Sequence, residues 1–175
     1  MEFTIRPASR GDELGVVAAV KTVYDEYGFT WDPEDYHADL YDLEAHFGNG
    51  AAILFVAEDG GGILGCAGLE TFPTVEGPVG EVVHGSPLPR IAGTDCEFLR
   101  LYVQPTARRR GLGAALVEHV LQEAVQRGCS RMEIWTDKRF VDAHRLYQRY
   151  GARIVGERIC DDPDVSPEWG MILEL

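Results

Sequence analysis

Eleven residues near the middle of the chain, Gln104-Pro105-Thr106-Ala107-Arg108-Arg109-Arg110-Gly111-Leu112-Gly113-Ala114, combine three arginines with two glycines just ahead of an apolar helical pattern. Glycine removes the side chain and lets backbone N–H groups come close to a ligand. A helix start adds unpaired N–H donors and the positive end of the dipole, which together favour phosphate. Arginine adds permanent charge and a planar fork of donors. The chemistry this arrangement offers is a cradle for a pyrophosphate. A P-loop is excluded, because G-x-x-x-x-G-K-[ST] does not occur. The dinucleotide fingerprint G-x-G-x-x-G would need glycine where Leu116 stands.

The cradle needs a strand before it and a helix after it. Residues 96–104, CEFLRLYVQ, read as the strand, which Pro105 ends because proline cannot donate to a ladder. A helix is expected over residues 109–127, with apolar ridges at Leu112, Leu116, Val120 and at Val117, Leu121, Val125, and Gly128 as its C-cap. Residues 130–136 read as a further strand. Asp137 is expected to cap a helix carrying Phe140, Ala143, Tyr147 and Tyr150, stopped by Gly151. Residues 152–160 and 169–175 read as the last strands.

Upstream, residues 2–7 alternate as a short strand. Ser9-x-x-Asp12 resembles a capping box ahead of Leu14, Val17, Ala18, Lys21 and Tyr24 at helical spacing. A second helix is expected from Asp32, with Pro33 at its first position and Tyr36, Leu40, Leu43 and Phe47 as an apolar stripe. Asp35, Asp39 and Asp42 run beside that stripe, as a solvated face or as a rim that attracts a cationic substrate. Residues 51–58 and 63–72 form a hairpin around Asp59-Gly60-Gly61-Gly62. Residues 73–94 are a Pro- and Gly-rich excursion with one extended piece at 81–84, and long loops of this kind are often functional. Hairpins in the first half and strand–helix alternation in the second predict an α/β mixed sheet covered by helices, in one domain over residues 1–175.

The chain carries 16 Lys+Arg against 29 Asp+Glu, a net charge of −13. Residues 1–94 hold 16 acids and 4 bases, whereas residues 95–175 hold 13 acids and 12 bases. Such acidity argues against nucleic acid or an anionic membrane as partner, since both are polyanions. A local basic site on an acidic body suits one specific anionic ligand. Cys66, Cys96, Cys129 and Cys160 include no C-x-x-C pair, so buried free thiols in a reducing compartment are expected, and no metal site. No basic n-region followed by an apolar h-region opens the chain, and its apolar runs are far shorter than the roughly 20 residues that span a bilayer. A cytoplasmic location is expected.

Arg108-x-x-Gly111-x-Gly113-Ala114 resembles the R/Q-x-x-G-x-G/A signature of the GCN5-related N-acetyltransferase (GNAT) superfamily. Leu101-Tyr102-Val103-x-Pro105 resembles that family's fourth strand. Ala143-x-x-Leu146-Tyr147-x-x-x-Gly151 resembles its second motif. The match is strongest over residues 95–160. Many members carry Asn three residues before the alanine, where this chain has Phe140, so no amide contact to the cofactor is expected there. The resemblance implies an α/β (α+β) fold with a mostly antiparallel sheet of about seven strands, splayed between strands four and five, and about four helices. It implies acetyl-CoA as donor and an amine as acceptor. Pantetheine would bond the edge of strand four at Leu101, Tyr102 and Val103. Residues Arg108, Arg109, Arg110, Gly111, Leu112, Gly113 and Ala114 would wrap the pyrophosphate. Tyr147 would touch the cofactor and act as general acid toward the thiolate, or else it is a core aromatic on the Phe140–Tyr150 stripe.

Acetyl transfer needs a base, because a lysine-like ammonium has a pKa of about 10.4. Glu97, on the strand before the cradle, is the candidate base, or else a structural or substrate-orienting carboxylate. His84 and His144 are weaker candidates. Acceptor recognition is expected from the first two helices and the excursion, with Tyr27, Trp31 and Glu97 as substrate contacts. Acids beside aromatics suit a cationic amine on a small molecule or a protein. An acyl-CoA-binding regulatory protein without turnover, and an acyltransferase using another CoA thioester, stay open. A homodimer through the C-terminal strands is plausible under the resemblance, with residues 169–175 apolar enough to pair.

Overall fold

The computed structural model describes residues 2–175. Among them, seven strands form one sheet in the order β1 (Thr4–Pro7), β2 (Ala52–Asp59), β3 (Gly62–Thr71), β6 (Cys96–Val103), β7 (Arg131–Asp137), β9 (Pro167–Glu174), β8 (Arg153–Ile159). Every pairing is antiparallel except β6 with β7. A separate two-stranded piece joins β4 (Val82–Val83) to β5 (Arg90–Ile91) inside the excursion. Four α-helices, α1 (Glu13–Tyr27), α2 (Leu43–Phe47), α3 (Leu112–Gln126) and α4 (Val141–Arg149), flank the sheet.

Residue alternation along β2 explains why the sheet is covered on both faces. Leu54 and Val56 meet α1 residues Val16, Val20 and Tyr24, while Phe55 and Ala57 turn to the core under α3. A strand buried on both sides reads as a continuous apolar run, as residues 51–57 do. On the α1 face, the β4–β5 piece covers the far side of the sheet, packing Ile91 and Val82 against Trp135, Ile172 and Val155. Gly170 permits this, because a Cβ there would meet the Trp135 ring at 2.7 Å.

Several expectations need correction. The α1 stripe is Val16, Ala19, Val20, Val23 and Tyr24, and Leu14 is 79% exposed. The spacing was right and the face was not, since Gly15 presses against Ile63. The Ser9–Asp12 box is half formed, with the Ser9 N–H donating to Asp12 Oδ2 at 2.8 Å. The helix expected from Asp32 is broken into a turn, a 3-10 turn at Ala38–Tyr41, and α2. Asp32 does accept the N–H of Asp35 at 3.2 Å. Asp42, with φ −143°, then ends that path and recaps α2 through the Ala45 N–H at 3.1 Å. Aspartate competes with helix by bonding nearby N–H groups, and two such residues divide this segment. α3 begins at Leu112 rather than Arg109, because Arg109 (φ 61°) and Gly111 (φ 80°) are left-handed. Asp137 does not cap α4. Its carboxylate takes the Arg139 N–H and guanidinium at 2.6–2.9 Å, and Phe140 stands at the cap. Finally, β9 is paired on both sides, so residues 169–175 cannot add a partner's strand; the C-terminal sheet edge is β8.

The splay expected between the fourth and fifth long strands is present. β6 and β7 pair only at Cys96–Met132, Glu97–Glu133 and Phe98–Ile134, then diverge. The cause lies on the other side of β6. Its register against β3 slips between Cys66 and Gly68, with Arg100 in the left-handed region at φ 55°. A bulge of this kind bends the strand and increases its twist. Arg100 is held there by two bonds to Asp39, at 2.8 and 3.0 Å, and one to the Tyr36 carbonyl at 2.7 Å. Asp39 is therefore neither a solvated acid nor a free rim charge; it anchors the bulge.

Candidate active site

The divergence of β6 from β7 opens a cleft of about 1230 Å³. The cradle forms one end of it. Gln104 N–H donates to Leu64 O at 2.9 Å, toward β3. Alternation turns the backbone groups of Leu101 and Val103 the other way, to the edge that β7 has left. The N–H groups of Leu112, Gly113 and Ala114 open α3 without helical partners. Gly113 is telling. A Cβ there would meet only Leu146 at 3.6 Å and Val103 at 3.9 Å, ordinary contacts, and its φ is not left-handed. Protein packing does not demand glycine at this position, and the space is left for something else. These features fit the pyrophosphate and pantetheine of a CoA thioester.

The arginines divide their work. Arg108 Nε donates to Val103 O at 3.0 Å, and its guanidinium grips Glu26 of α1 at 2.6 and 2.9 Å. It braces the cleft mouth, with its charge matched. Arg109 lines the cleft and is exposed, and Arg110 is exposed outside the lining.

Glu97 and Tyr147 line the same cleft. Tyr147 is 5% exposed and packs edge-on against Phe98 of β6, ring centroids 5.5 Å apart. Burial, reinforced by Tyr102, pushes its phenol up and keeps it protonated. Glu97 is 18% exposed at its side chain. Burial first, then the neighbouring Glu133 carboxylate, raises it to about 7, against the opposing pull of Arg90 and Arg158. His144 is buried, its Nε2 bonded to Asp137 O at 2.9 Å, and it ties α4 to β7. His84 is exposed and lies off the cleft.

The rest of the cleft is lined by residues from both faces of the split. Tyr27 lines it and meets Phe140 edge-on at 4.9 Å; Tyr102 turns its ring toward Tyr24 and Phe140. Trp31 is outside the lining. It stacks on the fully buried His37 at 3.9 Å and donates to Tyr41 Oη at 3.1 Å, so the contact expected of it is structural. Thr30 bonds Asp164 through both N–H and Oγ1, at 2.8 and 2.7 Å, joining the segment after α1 to the β8–β9 loop. Sequence reasoning passed over Arg90, Glu133, Arg158 and Glu168, four buried or half-buried charges, of which Arg158 and Glu168 line the cleft. Arg158 and Glu168, bonded at 2.7 Å, are each about 10% exposed at the side chain. The readable signal was a charged residue set between apolar ones in a strand, as Glu133 is between Met132 and Ile134.

Asp95, Cys96 and Cys129 bring a carboxylate and two thiols within 4.8 Å of one another. Asp95 is already engaged by the N–H groups of Ser130 and Arg131 at 2.9–3.1 Å, and burial holds both thiols protonated. All four cysteines are free. Among the described residues, no helix is long and apolar enough to cross a membrane.

The sequence profile of the Acetyltransferase (GNAT) family matches residues 18–152. An uncharacterised N-acetyltransferase of Schizosaccharomyces pombe is 39% identical over 56 residues, 32% of this chain and 34% of that protein, so the match spans about a third of the relative. Among solved structures, an acetyltransferase of Streptococcus agalactiae superposes with TM-score 0.76 at 13% identity, over 99% of this chain and 98% of its own. A GNAT family acetyltransferase of Elizabethkingia anophelis, solved with acetyl-CoA bound, superposes with TM-score 0.62 at 19% identity, over 99% and 98%. The profile covers most of the chain and includes the whole cradle, and the splayed sheet agrees with it: this chain belongs to the GNAT family of acetyltransferases.

Proposed function

We propose that this protein transfers the acetyl group of acetyl-CoA to a primary amine by direct attack in a ternary complex. The observation that carries the reading is one cleft holding an anion-binding helix start, an ionisable Glu97 and a protonated Tyr147. Acetyl-CoA supplies the thioester carbonyl and a thiolate leaving group. Leu101, Val103, Gly111, Leu112, Gly113 and Ala114 bind it through backbone groups, with Arg109, which lines the cleft, adding positive charge. Glu97 takes a proton from the incoming ammonium. Its value near 7 lies some three units below a free amine, and the dry cleft narrows that gap by lowering the amine. Tyr147 donates to the departing sulfur.

The acceptor side is acidic where it is unmatched. Asp39 and Glu168 are paired with Arg100 and Arg158, and Glu97 with Arg90 at 3.7 Å, whereas Glu70, opposite Glu97 across β3 and β6, has no ion pair among the described residues. This supports a cationic amine. A dimer through the C-terminal strands would use β8.

Release of free CoA across an amine panel tests the reading. Turnover is expected with acetyl-CoA and cationic small amines. Faster turnover of anionic amino acids would overturn the acceptor class, and faster turnover of succinyl-CoA the donor. Acetyl-CoA binding without CoA release from any amine would mark a regulatory protein instead. The cradle has its own test. Gly113→Ala is expected to leave the melting temperature unchanged or higher, since alanine suits a helix better. Acetyl-CoA binding should survive it within about twofold, because the signature accepts alanine here, whereas the bulkier Gly113→Leu should weaken it by about tenfold, roughly 1.4 kcal/mol, by calorimetry.

A further inference from the structure

The register sets three carboxylates side by side on adjacent strands: Glu70 on β3 opposite Glu97 on β6, and Glu97 opposite Glu133 on β7. Like charges directly opposite destabilise a sheet, so something must compensate. Glu133 is fully buried, and its oxygens are met by the excursion. The Ile91 N–H donates at 2.8 Å, Thr94 Oγ1 at 3.1 Å and Arg90 Nε at 2.5 Å. These bonds seat residues 90–94 on β7. They also fix the direction of the Arg90 guanidinium, which lies over the Phe72 ring at 4.1 Å. Its Nη2 points to Glu97 Oε2 at 3.7 Å, beyond a hydrogen bond, and is buried without a partner. An arginine donor is left half-engaged beside the one carboxylate assigned as base.

We propose that Arg90 and Glu133 are positioning residues that set the charge state of Glu97, and that the excursion exists to bring Arg90 to the acyl-transfer site. This rests on Glu97 being the base. The groups facing Glu97 are Glu133 from β7, Arg90 from β5, Arg158 from β8 and Glu70 from β3. Arg158 is matched by Glu168, so the balance lies between Glu133 and Arg90. Burial and Glu133 favour the protonated acid; Arg90 favours the carboxylate that can accept the amine proton. Glu133 holds Arg90 by one nitrogen only, leaving the other for Glu97.

The two partners of this ion pair should therefore act in opposite directions. Arg90→Gln is expected to move the acid limb of the kcat/KM profile up by about 1–3 pH units, the range for loss of a close opposite charge. Glu133→Gln should move it down. Arg90→Lys, which keeps the charge, should restore most of the wild-type limb. NMR titration of the glutamate side-chain carboxyls in the ligand-free protein reads the same shifts without turnover. A limb that stays in place in either Gln variant, or that moves in the same direction in both, would overturn the proposal. If one Gln variant fails to fold, the NMR titration of the other decides: a Glu97 carboxyl shifted in the stated direction supports the proposal, and an unmoved one overturns it. A wild-type acid limb that survives in Glu97→Gln would instead remove the base assignment beneath it.

Discussion

Tyr147→Phe is expected to lower kcat by about 10²–10⁴-fold, the range of a lost proton donor, and to leave acetyl-CoA affinity nearly unchanged. The substitution removes one oxygen from a ring whose packing on Phe98 is otherwise kept. Among the described residues no hydrogen bond holds that hydroxyl, so its loss leaves no protein group unsatisfied and stability should hold. A phenol held above its ordinary value stays protonated over the whole working range. A thiolate, whose acid has a pKa of about 8.5, is the weaker base, so in the proposed reaction Tyr147 would act chiefly as a hydrogen-bond donor to sulfur while charge develops. Two consequences follow. No basic limb of the rate profile below pH about 10 belongs to Tyr147. Donors whose leaving thiol is more acidic should suffer less from the substitution, because they need less help. Rapid-quench turnover with calorimetric affinity separates these effects. An equal loss in kcat and in acetyl-CoA binding would reassign Tyr147 to holding the cofactor.

The cradle was legible because its chemistry is local. Glycines at 111 and 113, the arginines and the helix start all lie within a few residues, and each acts through its own backbone or charge. What failed to show was made by distance. Arg100 takes a left-handed conformation because Asp39, 61 residues earlier, grips it. Nothing around Arg100 in sequence announces a bulge. The α3 start was misplaced for the opposite reason: Arg109 and Arg110 are good helix formers, but the loop needs left-handed turns to aim its N–H groups, and Gly111 permits one of them. Trp31 looked like a substrate contact by type and neighbourhood. Its stacking partner His37 has its imidazole pushed down to about 4 by burial, then by Arg100, and together they form a neutral core. The excursion was the least legible segment, since the groups that seat it belong to β7.

Glu97→Gln is the substitution in which activity and stability should part. The carboxylate of Glu97 must be ionised to receive a proton, so the wild-type rate should rise through pH about 7 and level above it. In Glu97→Gln that limb should vanish, with kcat/KM lowered by about 10²–10⁴-fold at pH 8. Stability should go the other way. In the unfolded chain a glutamate titrates near 4.3, and in the fold near 7, so the folded state holds its proton more tightly. Folding stability then falls as pH rises from about 4.3 to about 7, and the full cost is carried above it. Glutamine has no charge to bury. Its melting temperature should therefore match or fall below wild type at pH 4 and exceed it at pH 8. Calorimetric scans at the two pH values, beside the rate profile, check both halves. A variant less stable than wild type at both pH values would mean that Glu97 braces Arg90 rather than standing strained beside it. A retained limb would mean that the amine proton leaves by another route. The gain expected at pH 8 is the stability that the fold gives up to keep the Glu97 carboxylate buried.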